Sequence, residues 1–225
     1  MFVTKRIPRS LSAEAYRSLR TSIKYSSVDK PVKTIAITSS IIAEGKSTIA
    51  VNLAYSLSQD GARVLIIDCD LRRPSVHYKF FISNGEGLTE FLVGDFDLKS
   101  VIKKVDDSLY VITAGTIPPN PSEILGSKAM EKLLDEVAIN FDYVILDTTP
   151  VLPVTDALLI AAKADATLMV VKAKKTKENM VKQAYEHLME VRANVIGTVL
   201  NECDKSIDNK YYGYYEEKKS KRNKR

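Results

Sequence analysis

A Gly-Lys-Ser-Thr sequence is the stretch of this chain with the clearest chemical potential. Gly45-Lys46-Ser47-Thr48 follows a β-branched run, Thr34–Thr38, and precedes a helical spacing in Ile49–Gln59. A strand, a tight loop ending in Gly-Lys-Ser and a helix form the layout of a phosphate-binding loop. Backbone N–H groups at such a helix N-terminus attract anions. We therefore expect Lys46 to reach the outer phosphates of a nucleotide and the Ser47 hydroxyl to hold Mg²⁺.

The match to the loop pattern is incomplete, because Ser40 stands where Gly-x-x-x-x-Gly-Lys-[Ser/Thr] has its first glycine. Serine tolerates a positive φ less well than glycine, so the loop must turn by another geometry. A surface turn that caps an ordinary helix is an alternative for the loop on its own. If the loop binds a nucleotide, its contacts are expected from Ser40, Ala43, Glu44, Gly45, Lys46, Ser47 and Thr48, together with Asn201 at the end of the last predicted strand.

Three carboxylates follow predicted strands. The apolar run Arg63–Asp68 continues into Cys69 and Asp70, and the run Tyr143–Asp147 ends in a third aspartate. Ligands bind at the carboxyl ends of strands in open parallel sheets. A buried acid is unfavourable unless a metal ion or a donor compensates it. The sequence therefore predicts a magnesium–nucleotide site, although salt bridges from the neighbouring Arg72 and Arg73 are an alternative for the first two acids.

Within this site the acids are expected to have different roles. We predict that Asp68 accepts a proton from an incoming hydroxyl, with Asp70 as the other candidate for this base. Lys46, Asp68 and Asp70 are thus the predicted catalytic residues, and Ser47, Asp68 and Asp147 the predicted metal ligands. The acceptor could be water, as in an ATPase, or a tyrosine hydroxyl, as in a kinase.

The remaining patterns predict alternating strands and helices. Four more strands are predicted at Leu109–Thr113, Tyr143–Asp147, Ala166–Lys172 and Val195–Leu200, and helices at Lys128–Ala138 and Thr176–Val191. Three prolines in Gly115–Pro121 predict a stiff, irregular loop. This alternation is typical of an α/β fold with a doubly wound, mostly parallel sheet. A chain of 225 residues is long enough for one such domain with a substantial core.

Composition limits the environment and the partners. No apolar run is long enough to span a membrane, and the two cysteines lack metal-ligand spacing, so we expect a cytoplasmic protein with reduced thiols. The last ten residues contain six Lys or Arg and two Glu, so they contribute +4 of the net charge of +5. The folded body is therefore nearly neutral, and nucleic acid is not an expected partner.

Both ends of the chain have patterns of their own. A helix from Ser12 to about Tyr25 is predicted, with Ser12 as its cap and Glu14 completing a capping box. Its apolar face would be formed by Ala15, Tyr16, Leu19 and Ile23, opposite the charged residues Glu14, Arg17 and Arg20. Near the C-terminus four tyrosines lie within five residues, and we call them the tyrosine cluster: Tyr211, Tyr212, Tyr214 and Tyr215. The cluster favours a kinase over an ATPase.

These motifs together resemble the cytoplasmic bacterial tyrosine kinases that regulate capsule and exopolysaccharide synthesis, which are related to MinD/ParA-type ATPases. The resemblance extends from Ser12 to Tyr215. Ser39–Thr48 resembles the family's Walker A loop, Val64–Arg72 its Asp-x-Asp motif (Walker A′), and Val144–Asp147 its Walker B strand. Ile41 stands where MinD-type ATPases have an additional lysine. The resemblance implies a MinD-like P-loop fold, with ATP and Mg²⁺ bound.

The family also implies an organisation and a set of partners. Glu14, Arg17 and Arg20 match its Glu-x-x-Arg-x-x-Arg element, through which the family's kinases assemble into rings. An octamer is the ring size that the resemblance suggests. The tyrosine cluster matches the family's autophosphorylated tail. Residues 1–30 would then form an arm with the oligomerisation helix, 31–205 the kinase domain and 206–225 a flexible tail. The resemblance implies two partners. One is a membrane-embedded activator, the polysaccharide co-polymerase, which recruits the kinase to the inner face of the plasma membrane. The other is a cognate tyrosine phosphatase. A MinD/ParA-like ATPase switch and a nucleotide-binding scaffold remain the alternatives.

Overall fold

The structure is a computed structural model that describes residues 2–26 and 31–203. Its centre is a seven-stranded sheet with the strand order β3-β4-β2-β5-β1-β6-β7. The strands are β1 Thr34–Ser39, β2 Val64–Asp68, β3 Lys103–Asp106, β4 Leu109–Ile112, β5 Tyr143–Asp147, β6 Ala166–Lys172 and β7 Val195–Asn201. All neighbours pair in parallel except β3, which runs antiparallel to β4 at the edge. The predicted doubly wound, mostly parallel sheet is confirmed.

Helices surround this sheet. Within the described residues they are α1 Val3–Arg6, α2 Leu11–Lys24, α3 Lys46–Ser58, α4 Val76–Phe80, α5 Leu88–Val93, α6 Leu98–Val101, α7 Pro121–Leu125, α8 Lys128–Asn140, α9 Asp156–Ala161 and α10 Glu178–Glu190. None of these ten helices is both long and apolar enough to cross a membrane.

The central strands are buried on both faces, which explains their continuous apolar sequences. Side chains alternate between the two faces along a strand. In β2, Ile66 lies in a core cluster that includes Leu53 of α3, whereas Leu65 and Ile67 lie in the opposite cluster with Leu133 of α8. One strand thus anchors helices above and below the sheet. This burial fixes the carboxyl end of β2, where Asp68 lies, relative to α3.

Helix α2 begins two residues earlier than predicted. Ser10, not Ser12, is the N-cap of α2, and its Oγ accepts a hydrogen bond from the Ala13 N–H at 3.1 Å. Glu14 therefore lies beyond the capping-box position. Tyr16, Leu19 and Ile23 pack against the core as predicted, whereas Ala15 is exposed and Ala13 is buried in its place. Ser10 and Ser12 are both acceptable caps, and only packing decided between them.

Two other predictions were wrong at the sheet edge and in the proline-rich loop. The strand Lys103–Asp106 was not predicted, since its charged residues do not resemble a buried strand, and it lies at an edge where one side remains open. Pro121 was assigned to an irregular loop but begins the short helix α7. Proline is favoured at this position because the first helical N–H has no partner within the helix.

Candidate functional site

The phosphate-binding loop connects β1 to α3 and turns at two residues with positive φ. These are Ala43, with φ 62°, and Gly45, with φ 95°. Ser40 is buried and is not among the positive-φ residues, so the turn that the missing first glycine would make lies at Ala43 instead. A left-handed conformation at a non-glycine residue is unfavourable by roughly 1–2 kcal/mol. The loop therefore needs contacts from elsewhere to hold it.

Gly45 lies directly against the end of β7. The positive φ favours glycine here, and a Cβ atom added to this residue would lie 2.1 Å from Asn201 Nδ2 and displace that side chain. The Asn201 amide donates a hydrogen bond to the Glu44 carbonyl oxygen at 2.9 Å. Asn201, which was predicted to bind the nucleotide, thus lies at the loop and holds its backbone. Its contact with a nucleotide stays a prediction.

Lys46 begins α3 and lies among acids. Its Nζ is 2.8 Å from Asp70 Oδ2, 3.8 Å from Asp147 Oδ1 and 3.3 Å from the Ser47 hydroxyl. Burial acts to lower the pKa of Lys46, but the neighbouring carboxylates outweigh it and the pKa lies above its ordinary value. The loop lysine, Asp70 and Asp147 therefore lie at one edge of the sheet, as the strand-end rule predicted.

Asp68 is fully buried at the end of β2. Its Oδ2 accepts N–H groups from Ser75 and Val76, both at 2.9 Å, and its Oδ1 accepts the Asp70 N–H at 3.2 Å. Burial, with help from the Asp147 charge, raises the pKa of Asp68 to about 7, although the N–H groups of Val76 and Ser75 oppose the effect. A carboxylate with this pKa can accept a proton near neutral pH, which is what a general base requires.

Asp147 lies at the end of β5, beside Asp68 in the strand register. Both of its carboxylate oxygens are buried without a hydrogen-bond partner among the described residues. Burial raises its pKa, although the Lys46 charge and the nearby Ser47 hydroxyl, which does not reach hydrogen-bond geometry with it, oppose the effect. A buried acid with open oxygens is unfavourable on its own but suits Mg²⁺, which prefers oxygen ligands.

The oxygen atoms of Asp147 and Ser47 suit a magnesium ion that is also bound by phosphate oxygens. Among the described residues, no group of three or more His, Cys, Asp or Glu side chains could hold a metal ion. Ser47 and Asp147 would therefore share the ion with phosphate oxygens, which is the usual arrangement for Mg²⁺ in nucleotide sites. Asp68, the third predicted metal ligand, already accepts hydrogen bonds at both oxygens, and its role toward a metal stays a prediction.

The arginines after β2 do not neutralise the first two acids. The Arg72 guanidinium makes a bidentate pair with the buried Asp156, at 2.7 and 3.1 Å, and also contacts Ser122. Arg73 donates its backbone N–H to Asp70 Oδ1 at 3.0 Å. The ion pair of Asp70 is instead with Lys46. The salt-bridge alternative for Arg72 is therefore wrong, because this arginine fixes the loop after β2 to α7 and α9.

Lys79 of α4 is a residue near the site that the sequence reasoning missed. Its Nζ lies 3.3 Å from the Thr48 hydroxyl, and its charge acts to lower the pKa of Asp147. No motif spacing could have identified it, because Thr48 and Lys79 are separated by 31 residues, which include most of α3 and all of β2. The site therefore contains a second nearby cation besides Lys46.

The predicted oligomerisation residues make contacts within the chain. Glu14 and Arg17 form an ion pair at 2.7 Å on the outer side of α2, and Arg17 also donates to the Pro8 carbonyl oxygen at 2.6 Å. Arg20 contacts α3 and the turn after it, donating to the Ser56 carbonyl oxygen at 2.9 Å and pairing with Asp60 at 3.2 Å. Arg20 therefore also holds α2 on the domain. The tyrosine cluster lies outside the described residues, so its contacts remain predictions.

Known proteins resemble this chain in sequence and in fold. Residues 32–201 match the model of a family described as AAA domain. Tyrosine-protein kinase YwqD of Bacillus subtilis is 41% identical over 209 residues, which are 92% of this chain and 88% of that protein. The crystal structure of the chimerical protein CapA2B2 gives a TM-score of 0.87 at 37% identity, covering 90% of this chain and 89% of its own. The kinase domain of Escherichia coli tyrosine kinase ETK gives 0.86 at 32% identity, covering 91% and 82%.

Proposed function

The chain belongs to the bacterial tyrosine kinases of the capsule and exopolysaccharide type, and we propose that it transfers the γ-phosphoryl group of ATP to the tyrosine cluster of another copy. The membership supports tyrosine as the acceptor. The main observation that supports this site is the Asp147 carboxylate. It is buried without a hydrogen-bond partner among the described residues, and its Oδ1 lies 3.8 Å from Lys46 Nζ.

The loop residues would bind and orient the triphosphate. Backbone N–H groups of Gly45, Ser47 and Thr48 lie at the start of α3, where the helix dipole favours negative charge. Lys46 would exchange its 2.8 Å contact with Asp70 for the outer phosphate oxygens. A magnesium ion held by Ser47 and Asp147 would neutralise charge on the phosphates. Lys79, beside Thr48, adds a second cation on the same side of the helix start.

Asp68 would act on the acceptor. The tyrosine oxygen forms a bond to the γ-phosphorus, the bond from that phosphorus to the bridging oxygen breaks, and ADP leaves. The phenolic proton passes to Asp68, whose Oδ1 has a single, 3.2 Å hydrogen bond and can accept another. A carboxylate is a sufficient base because phosphoryl transfer has a loose transition state that requires little early deprotonation.

The surroundings of the reaction follow from the family resemblance. We propose that Glu14, Arg17 and Arg20 assemble a ring, an octamer in the family pattern, that presents the tail of one subunit to the site of its neighbour. A membrane-embedded activator, the polysaccharide co-polymerase, would recruit the kinase to the inner face of the plasma membrane, and a tyrosine phosphatase would reverse the reaction. Each phosphate adds a charge of roughly −1.5 to −2, so full phosphorylation would repel the tail from an acid-lined site and loosen the ring. Cycles of this kind would regulate polysaccharide synthesis.

The first experiment measures phosphotyrosine after incubation with Mg-ATP. Lys46→Met should abolish the signal, because the substitution removes the cation that faces the phosphates, while the fold is kept. Lys132→Met, on the exposed side of α8, is the matched control and should leave the signal unchanged. A signal that survives Lys46→Met would refute the proposed site. Phosphate release without any phosphotyrosine would favour the ATPase switch instead.

A second experiment separates transfer between copies from transfer within one copy. The Lys46→Met chain, which retains its tyrosine cluster, is mixed with an active chain in which all four cluster tyrosines are Phe. Phosphotyrosine on the Lys46→Met chain can arise only from the other copy. Absence of phosphotyrosine from the mixture, while the wild type phosphorylates itself, would contradict transfer in trans.

A further inference from the structure

Glu44 is a buried acid within the phosphate-binding loop, and its carboxylate is used entirely by the protein. The residue is 2% exposed. Its Oε2 accepts the Ile41 N–H at 2.8 Å, and its Oε1 accepts the Lys172 N–H at 3.3 Å and the hydroxyl of Thr176. A buried carboxylate is strongly unfavourable unless it receives several hydrogen bonds, and these three donors compensate it.

These contacts connect the loop to a distant part of the chain. Lys172 is the last residue of β6, and Thr176 lies in the connection from β6 to α10. The Thr176 hydroxyl in turn accepts the Lys172 N–H at 3.2 Å. Glu44 thus closes the loop upon Ile41 and fixes the closed loop to the end of β6. We call the pair of Glu44 and Thr176 the loop clamp.

The loop has features that require such a clamp. Ala43, next to Glu44, has a φ of 62°, which is unfavourable for a residue with a Cβ atom. Ser40 replaces the glycine that would otherwise make the turn. Phosphate binding depends on N–H groups that point at the anion before it arrives, since ordering them at binding weakens the affinity. A loop held in advance binds the nucleotide more tightly than one that must be ordered.

We propose that Glu44 is a positioning residue, which acts with Thr176 to hold the phosphate-binding loop ready for the nucleotide. The predicted contact of Glu44 with the nucleotide is then made by its backbone and not by its carboxylate. The inference rests on the proposed nucleotide site. It adds that the connection after β6, which contains no nucleotide-binding motif, determines part of the affinity for nucleotide.

The chain offers a matched control in a second clamp of the same chemistry. Glu90 accepts hydrogen bonds from the Gly87 N–H at 2.8 Å, the Thr116 N–H at 2.9 Å and the hydroxyl of Thr116. This group fixes the loop after β4 and has no contact with the phosphate-binding loop among the described residues. Thr176→Val and Thr116→Val each remove one hydroxyl donor to a glutamate while the side-chain shape is kept.

The test measures the dissociation constant for ADP, by calorimetry well below the unfolding midpoint, together with that midpoint. Thr176→Val should weaken ADP binding roughly tenfold, the expected effect of losing one hydrogen bond to a charged group. Thr176→Ser, which restores the hydroxyl, should recover the wild-type constant. Thr116→Val should leave the constant unchanged even if it lowers the midpoint. Glu44→Gln should weaken binding as well, since its amide cannot accept every donor.

The outcomes separate the inference from the proposed function. A wild-type chain that binds no ADP would overturn the proposed nucleotide site and this inference with it. A wild-type chain that binds ADP, with Thr176→Val equally tight, would overturn the inference alone. Equal weakening by Thr176→Val and Thr116→Val would also overturn it, because both clamps would then act only through general stability.

Discussion

The substitution Asp68→Asn should abolish phosphoryl transfer and yet stabilise the folded chain at alkaline pH. Asp68 is fully buried, and its pKa is raised from 3.8 to about 7 by burial and by the Asp147 charge. A difference of about three between the folded and unfolded pKa values corresponds to a free energy of about 4 kcal/mol. Above pH 7 the folded chain therefore holds an ionised group that is unfavourable by about this amount relative to the unfolded chain.

The dependence on pH has a definite sign. Between about pH 4 and pH 7 the folded chain keeps a proton on Asp68 that the unfolded chain has lost. Because the folded state binds more protons, the contribution of Asp68 to the free energy of unfolding falls as the pH rises through this window. Asparagine has no such titration. The variant should therefore gain stability relative to the wild type as the pH increases.

The gain is reduced by one lost hydrogen bond. The amide oxygen of asparagine can still accept the N–H groups of Ser75 and Val76, but its NH₂ group would face the Asp70 N–H. Losing that bond costs about 1 kcal/mol. We expect the free energy of unfolding to rise by about 3 kcal/mol at pH 8 and to change little at pH 5.

The assay is urea unfolding at pH 5, 6, 7 and 8, with chelator present and without nucleotide. Asp135→Asn, at an exposed position of α8, is the control and should shift stability by less than about 0.5 kcal/mol at each pH. A variant that is less stable than the wild type at pH 8, or a difference that does not change with pH, would refute the argument that the buried charge of Asp68 is unfavourable. Phosphotyrosine formation by the stable variant would refute its role as the base.

Two further substitutions test residues around the site. Lys79→Met should weaken ADP binding several-fold in calorimetry, because it removes a cation 3.3 Å from the Thr48 hydroxyl. Lys182→Met on α10 is the control. Equal ADP affinities of Lys79→Met and the wild type would exclude Lys79 from the site. Arg17→Ala should reduce the oligomer in light scattering and change stability by less than about 0.5 kcal/mol, because its contacts with Glu14 and the Pro8 carbonyl are solvent-exposed. Arg20→Ala should also destabilise the chain by about 1 kcal/mol, since it loses its part-buried hydrogen bond to the Ser56 carbonyl. An unchanged oligomer in both variants would contradict the ring.

Much of the fold was predictable because its determinants are local. Continuous apolar runs such as Tyr143–Asp147 indicate strands buried on both faces, and helical spacing indicates the helices between them. The strand-end rule then placed Asp70 and Asp147 beside Lys46, as the structure confirms. The edge strand Lys103–Asp106 was missed for a related reason, because a half-exposed strand has no apolar run to identify it.

The sequence by itself thus determined the chain order of the six parallel strands, the position of the phosphate-binding loop and the acids that face it. Only the tertiary structure decided those partners of the buried charged side chains that lie far away in the sequence. Arg72 pairs with Asp156, 84 residues away, and Glu44 with Thr176, 132 residues away, although nearer partners are present in the sequence. The physical reason is that a hydrogen bond requires donor and acceptor within about 3 Å, and over such separations this depends on how the helices pack on the sheet.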